Sequence, residues 1–107
     1  MLLKNKKELF NFISNKEVII WGARMTGIGA LRQLKKKNIK VINFVDSDLA
    51  FVGKHVHGIE VHHPNKLTKI FDLHKKAVIL VAVSLKEEDI LNQFKKMDIK
   101  NIPVISF

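Results

Sequence analysis

Two rhythms of apolar residues alternate along this chain. Leu9, Phe12 and Ile13 stand at i, i+3 and i+4 among lysines and predict a short amphipathic helix over 3–15, expected to pack on a sheet edge. The run Glu17-Val18-Ile19-Ile20-Trp21 is almost continuously apolar and closes at Gly22, as a strand buried on both faces does, so it is the expected centre of a sheet. Ile28, Leu31 and Leu34 then share one helical face through Lys36, with Asn38 as the stop signal. Val41-Ile42-Asn43-Phe44-Val45 predicts a second strand, ended by Asp46-Ser47-Asp48, residue types that favour turns and caps.

Between 49 and 63 the rhythm breaks. Gly53 and Gly58 mark turns, and Ile59-Glu60-Val61 predicts a short third strand. Pro64 fits the first turn of a helix whose apolar stripe is Leu67, Ile70 and Phe71. The run 77–83 carries the strongest buried-strand signal in the chain. Ser84 and Glu87 have the spacing of a capping box, and Ile90, Leu91, Phe94 and Met97 form the core face of the helix it would open. A closing strand is expected over 102–107, with neither an internal repeat nor a low-complexity linker on the way. Strands alternating with helices imply right-handed crossovers and parallel pairing, hence an α/β, doubly wound, mainly parallel sheet of about five strands with helices on both faces.

The 107 residues suit one domain, 1–107, large enough to fold on a hydrophobic core without staples. Its ending directly on a strand is compatible with the N-terminal part of a longer enzyme. The absence of cysteine excludes a disulfide framework, a thiolate zinc site and a Cys nucleophile; the absence of tyrosine removes the Tyr-x-x-x-Lys pair of short-chain dehydrogenases. No run approaches the roughly 20 apolar residues of a membrane span. The charged N-terminus lacks the apolar core of a secretory signal, so a cytoplasmic location is expected. The formal charge is +9, and 17 of the 19 basic residues are lysines clustered at or near predicted helix ends, where they complement helix dipoles without any partner. The aromatic residues mostly fall on apolar faces and read as core, which leaves nucleic-acid binding with little support.

Gly22-Ala23-Arg24-Met25-Thr26-Gly27 joins the first strand to its helix and is the most informative segment. In a dinucleotide fingerprint the first glycine makes a tight turn, the second lets a pyrophosphate approach, and the third lets helix and strand pack closely. Gly22 and Gly27 fill the first and third places, while Arg24 stands at the second. Its side chain blocks the usual approach unless the guanidinium itself turns onto the phosphate. The helix N-terminus is an anion site in either case, and Thr26 adds a hydroxyl. Asp46 follows Gly22 by 24 residues, where an acid binds ribose hydroxyls; a carboxylate suits a diol and repels a 2′-phosphate, favouring NAD over NADP. The alternative is that Asp46 and Asp48 only cap a turn.

Three segments, Val18-Ile19-Ile20-Trp21-Gly22-Ala23-Arg24, Ile42-Asn43-Phe44-Val45-Asp46-Ser47-Asp48 and Val52-Gly53-Lys54-His55-Val56-His57-Gly58-Ile59-Glu60-Val61, resemble a widespread Rossmann-like module. It is similar to the nucleotide- or CoA-binding domains attached to bacterial polysaccharide-biosynthesis enzymes, among them sugar dehydratases, sugar acyltransferases, and glycosyl-, phospho- and methyltransferases. The likeness runs from the N-terminal helix to the last strand. It implies a phosphate loop over Gly22, Ala23, Arg24, Met25, Thr26 and Gly27, a ribose contact at Asp46 with Ser47 beside it, and a base or sugar wall near Val83 and Ser84. The leading expectation from the residues is a module for NAD or a nucleotide-sugar, with catalytic chemistry expected from an attached domain. S-adenosylmethionine or CoA binding as part of a transferase is an alternative.

Other constellations are weaker. His55, His57, His62 and His63 with Glu60 do not have the spacing of a known metal site, and no metal is expected. A P-loop is excluded because no Gly-Lys-Ser/Thr closes the glycine segment. No nucleophile stands beside a partnered base, so no complete active site is visible and no catalytic residue is assigned. The reading from a different class is a protein-interaction or oligomerisation domain with a vestigial cleft and a homo-oligomer among its candidate partners, in which Arg24 is a surface or interface cation.

Overall fold

The structure is a computed structural model that describes residues 6–82, 87–97 and 104–106. In chain order these form α1 (Lys6–Ile13), β1 (Glu17–Trp21), α2 (Met25–Lys36), β2 (Lys40–Val45), β3 (His55–Val56), β4 (Ile59–His62), α3 (Leu67–Leu73), β5 (Ala77–Val81), α4 (Glu87–Lys96) and β6 (Val104–Ser106). The six strands make one sheet in the order β3-β4-β2-β1-β5-β6, with every pairing parallel except the β3–β4 hairpin. The expected doubly wound α/β sheet of five parallel strands is present, and β3 adds an antiparallel edge.

Period-two alternation sends each central strand's side chains to both faces. Val18 and Ile20 of β1 join Val78 and Leu80 of β5 on one face, where Leu9 and Ile13 of α1 and Ala30, Leu31 and Leu34 of α2 cover them. Ile19 and Trp21 join Ile79 and Val81 on the other, against Leu67, Ile70 and Phe71 of α3 and Phe94 of α4. In β2, Val41 and Phe44 share a face although three residues apart, which strict alternation forbids. A bulge reconciles them: Val18 pairs with Val41 but Ile19 with Asn43, so β2 carries one extra residue.

Several expectations need correction. The N-terminal helix lies on a sheet face, not an edge: after the bend at 14–16, Leu9 and Ile13 share one buried cluster with Val18, Ile20, Phe44 and Val78 of the central strands. The buried face of α2 is Gly27, Ala30, Leu31 and Leu34, with Ile28 only half-buried. The third predicted strand extends to His62 and pairs with β2, and His57 (φ 49) with Gly58 (φ 80) supplies the two left-handed residues of a tight hairpin turn before it. Strand β5 ends at Val81; Ser84 of the expected capping box lies outside the described residues. Asn38 (φ 58) ends α2 as expected, with the Ile39 N–H reaching back to the Leu34 carbonyl at 3.0 Å. Lys35 and Lys36, and Lys95 and Lys96, occupy the last turns of α2 and α4. Among the described residues no helix is long and apolar enough to cross a membrane.

Candidate functional site

The carboxyl ends of β1 and β2 meet where β1 gives way to α2. Gly22 has φ 122, a conformation closed to other side chains, and its N–H donates to the Val45 carbonyl at 2.9 Å. One turn later, a Cβ on Gly27 would lie 1.8 Å from the Gly22 carbonyl oxygen. That close approach lets α2 start directly on top of the strand. Gly29 has open space around it, so of these three glycines only Gly22 and Gly27 are dictated by geometry.

Arg24 is the N-cap of α2 in an extended conformation and makes no side-chain cap bond. The first helical bond runs from the Ile28 N–H to the Arg24 carbonyl at 2.9 Å, which leaves the N–H groups of Met25, Thr26 and Gly27 outside the helix ladder. They crown the positive end of a helix with no acid in its first turn. Met25 is 86% exposed and Thr26 half-buried.

Asp46 is placed by β2, whose pairing continues in an Asp46 N–H bond to the His62 carbonyl at 3.0 Å. One carboxylate oxygen accepts the Ala23 N–H at 3.0 Å and the other the Asp48 N–H at 2.9 Å. This half-buried acid therefore ties the glycine loop to the end of β2. Asp48 is engaged in turn, accepting the Ala50 N–H at 2.9 Å and pairing with the Arg24 guanidinium. The backbone bond from Ala50, followed by Arg24, holds its carboxyl below the usual aspartate range. The Arg24 guanidinium also lies 5.1 Å from the centre of the Phe51 ring. Arg24 is 67% exposed, so water screens much of this pairing.

The structure thus brings Gly22, Ala23, Arg24 and Gly27 into one cluster with Asp46, flanked by Met25 and Thr26, with Ser47 exposed at the tip of the adjoining turn. Val83 and Ser84 lie outside the described residues. Sequence reasoning missed the joint engagement of Arg24 by Asp48 and Phe51. A second acid two places after the first, and an aromatic in a polar turn, were its available signals.

The histidines serve elsewhere. His63 caps the turn at Pro64 by accepting the Asn65 N–H at 3.1 Å on Nδ1, His57 sits in the hairpin turn, and His62 Nδ1 lies 3.8 Å from Glu60. The described residues gather no group of three His, Asp or Glu suited to a metal.

A family model described as C2185-like, N-terminal, matches residues 14–105. No curated protein sequence matches the chain. Among solved structures, the UDP-D-quinovosamine 4-dehydrogenase of Vibrio fischeri is similar over 86% of this chain and 77% of its own, at 21% identity and a TM-score of 0.69. A Rex-family repressor, RSP, solved with β-NADH, is similar over 96% of this chain and 62% of its own, at 13% identity and a TM-score of 0.63. The same repressor with β-NAD+ and operator DNA shows 16% identity over 96% of this chain and 58% of its own, with a TM-score of 0.63. This chain therefore spans about three-fifths of the repressor's length. At these identities the likeness is one of fold, and the fold is Rossmann-like.

Proposed function

This chain belongs to the C2185-like N-terminal family, and we propose that its glycine-loop crevice binds a nucleotide, with NAD the best-suited ligand. The carrying observation is the bond from the Ala23 N–H to Asp46, which sets a carboxylate beside the open N-terminus of α2. An anion site and a diol acceptor then face one crevice.

The residues present fit such a ligand. The N–H groups of Met25, Thr26 and Gly27 would hold a diphosphate, since they stand outside the helix ladder with the dipole behind them. Each Asp46 oxygen accepts one backbone N–H in the structure and keeps lone-pair capacity for a ribose hydroxyl. Arg24 fills the place of a second glycine, but its guanidinium is turned to the β2 side, onto Asp48 and Phe51. Val83 and Ser84 would border the base or sugar. Ser47, on the turn between the two acids, would contact the ligand's rim.

That the Rex-family repressor was solved with β-NADH and with β-NAD+ supports NAD. A nucleotide-sugar is the second reading, favoured by the likeness to a UDP-D-quinovosamine dehydrogenase and by the resemblance to domains of polysaccharide-biosynthesis enzymes. In both readings the domain binds and an attached domain supplies chemistry.

A thermal-shift panel with NAD, NADP, UDP-sugars, S-adenosylmethionine and coenzyme A tests this. A ligand at 100 times its dissociation constant adds about 2.7 kcal/mol, or roughly ten degrees in a domain of this size. A selective response to NAD or a UDP-sugar supports the proposal. A response to coenzyme A or S-adenosylmethionine alone refutes the NAD and nucleotide-sugar readings and favours a transferase module; a response to nothing refutes nucleotide binding and favours an interaction domain.

A further inference from the structure

We infer that Asp48 is a specificity-determining residue that closes this crevice to a ribose 2′-phosphate by neutralising Arg24; the inference rests on the nucleotide-binding reading above.

Asp46, Asp48 and Arg24 share one turn at the end of β2. Asp48 donates its N–H to Asp46, accepts the Ala50 N–H on one carboxylate oxygen, and gives the other to the Arg24 guanidinium. The three side chains together carry a net charge of −1. A phosphate monoester on the hydroxyl beside Asp46 would enter this turn and meet two carboxylates and a guanidinium already engaged.

The guanidinium is otherwise well chosen for such a phosphate. Its planar fork suits bidentate binding, and the Phe51 ring, 5.1 Å from it, holds it at the end of β2. Removing the charge of Asp48 alone should release this latent site. Asp48→Asn does so with the least disturbance, because the amide oxygen can still accept the Ala50 N–H while the amide nitrogen replaces the oxygen that faced Arg24.

The test is calorimetric titration of the full 107-residue chain with NAD and with NADP at fixed salt. The wild type is expected to prefer NAD. In Asp48→Asn the NADP-to-NAD affinity ratio should rise about tenfold, the scale of one uncompensated charge a few ångströms from a phosphate. Adding Arg24→Gln to that variant should return the ratio to the wild-type value. If Asp48 only shaped the turn, both affinities would fall together and the ratio would not move. A wild type that prefers NADP, or a variant ratio within twofold of the wild type, overturns the inference while leaving nucleotide binding intact. Silence toward both dinucleotides overturns NAD binding and this inference together.

Discussion

A carboxylate ties down the chain at each end of β1, Glu17 on the strand itself and Asp46 just past the neighbouring end of β2, and the two are engaged differently. At its start, Glu17 places one oxygen 3.2 Å from His74 Nδ1 at the end of α3 and 3.4 Å from the Lys40 ammonium of β2. At its finish, Asp46 spends both oxygens on backbone N–H groups of the adjoining loops. The first is side chains matched to side chains and fastens three elements. The second holds loop backbone in place beside the open N-terminus of α2. The fold needs ties at both ends, but only the upper one is combined with donors that a ligand could take.

This contrast predicts graded effects. The largest belongs to Gly27→Ala, whose Cβ would overlap the Gly22 carbonyl oxygen at 1.8 Å. Separating α2 from β1 should cost about 3 kcal/mol or more and lower the urea midpoint accordingly. Asp46→Ala comes next. It deprives the Ala23 N–H of its partner, at about 1–3 kcal/mol by denaturant titration, and should weaken nucleotide binding about tenfold. Loss of stability with unchanged affinity would make Asp46 a tie alone, like Glu17.

Glu17 ties its end of β1 in a pH-dependent way. Burial pushes its carboxyl up, but the hydrogen bond and charge of His74, with those of Lys40, outweigh this and leave it below the ordinary glutamate value of 4.5. A depressed carboxyl stabilises the fold above its unfolded value and loses that contribution as the pH falls through the folded one. The stability gap between wild type and Glu17→Gln should therefore be present at pH 7 and shrink as the pH is lowered below the ordinary glutamate value of 4.5. Nucleotide affinity at pH 7 should be the same in both proteins; a large drop in Glu17→Gln would mean the two ends are coupled. The smallest effect has the opposite sign: Gly29→Ala, in open space inside α2, should stabilise the protein by about 0.5–1 kcal/mol.

The strands were legible in the sequence because each buried one writes its apolar run twice, once for each face, as 18–21 and 77–81 do. Gly22 and Gly27 were legible because sterics leave no other residue there. The bulge in β2 was not, since Val-Ile-Asn-Phe-Val reads as one strand and its extra residue shows only against Val18 and Ile19. The place of α1 was misjudged because periodicity identifies an apolar face without naming what it covers. Spacing also brought Asp46 to the glycine loop, but it could not reveal the engagement of Arg24 by Asp48 and Phe51, which depends on how two loops distant in sequence cross.

Nucleotide binding at the start of α2 and the end of β2 leaves a trace on the backbone there. Following the backbone amide resonances during titration with NAD locates that trace. The largest shifts should fall on residues 22–27 and 46–48, with the amides around Glu17 and His74 unmoved. No shifts at all, or shifts centred on the lower end of the sheet, would rule out a nucleotide site at the glycine loop.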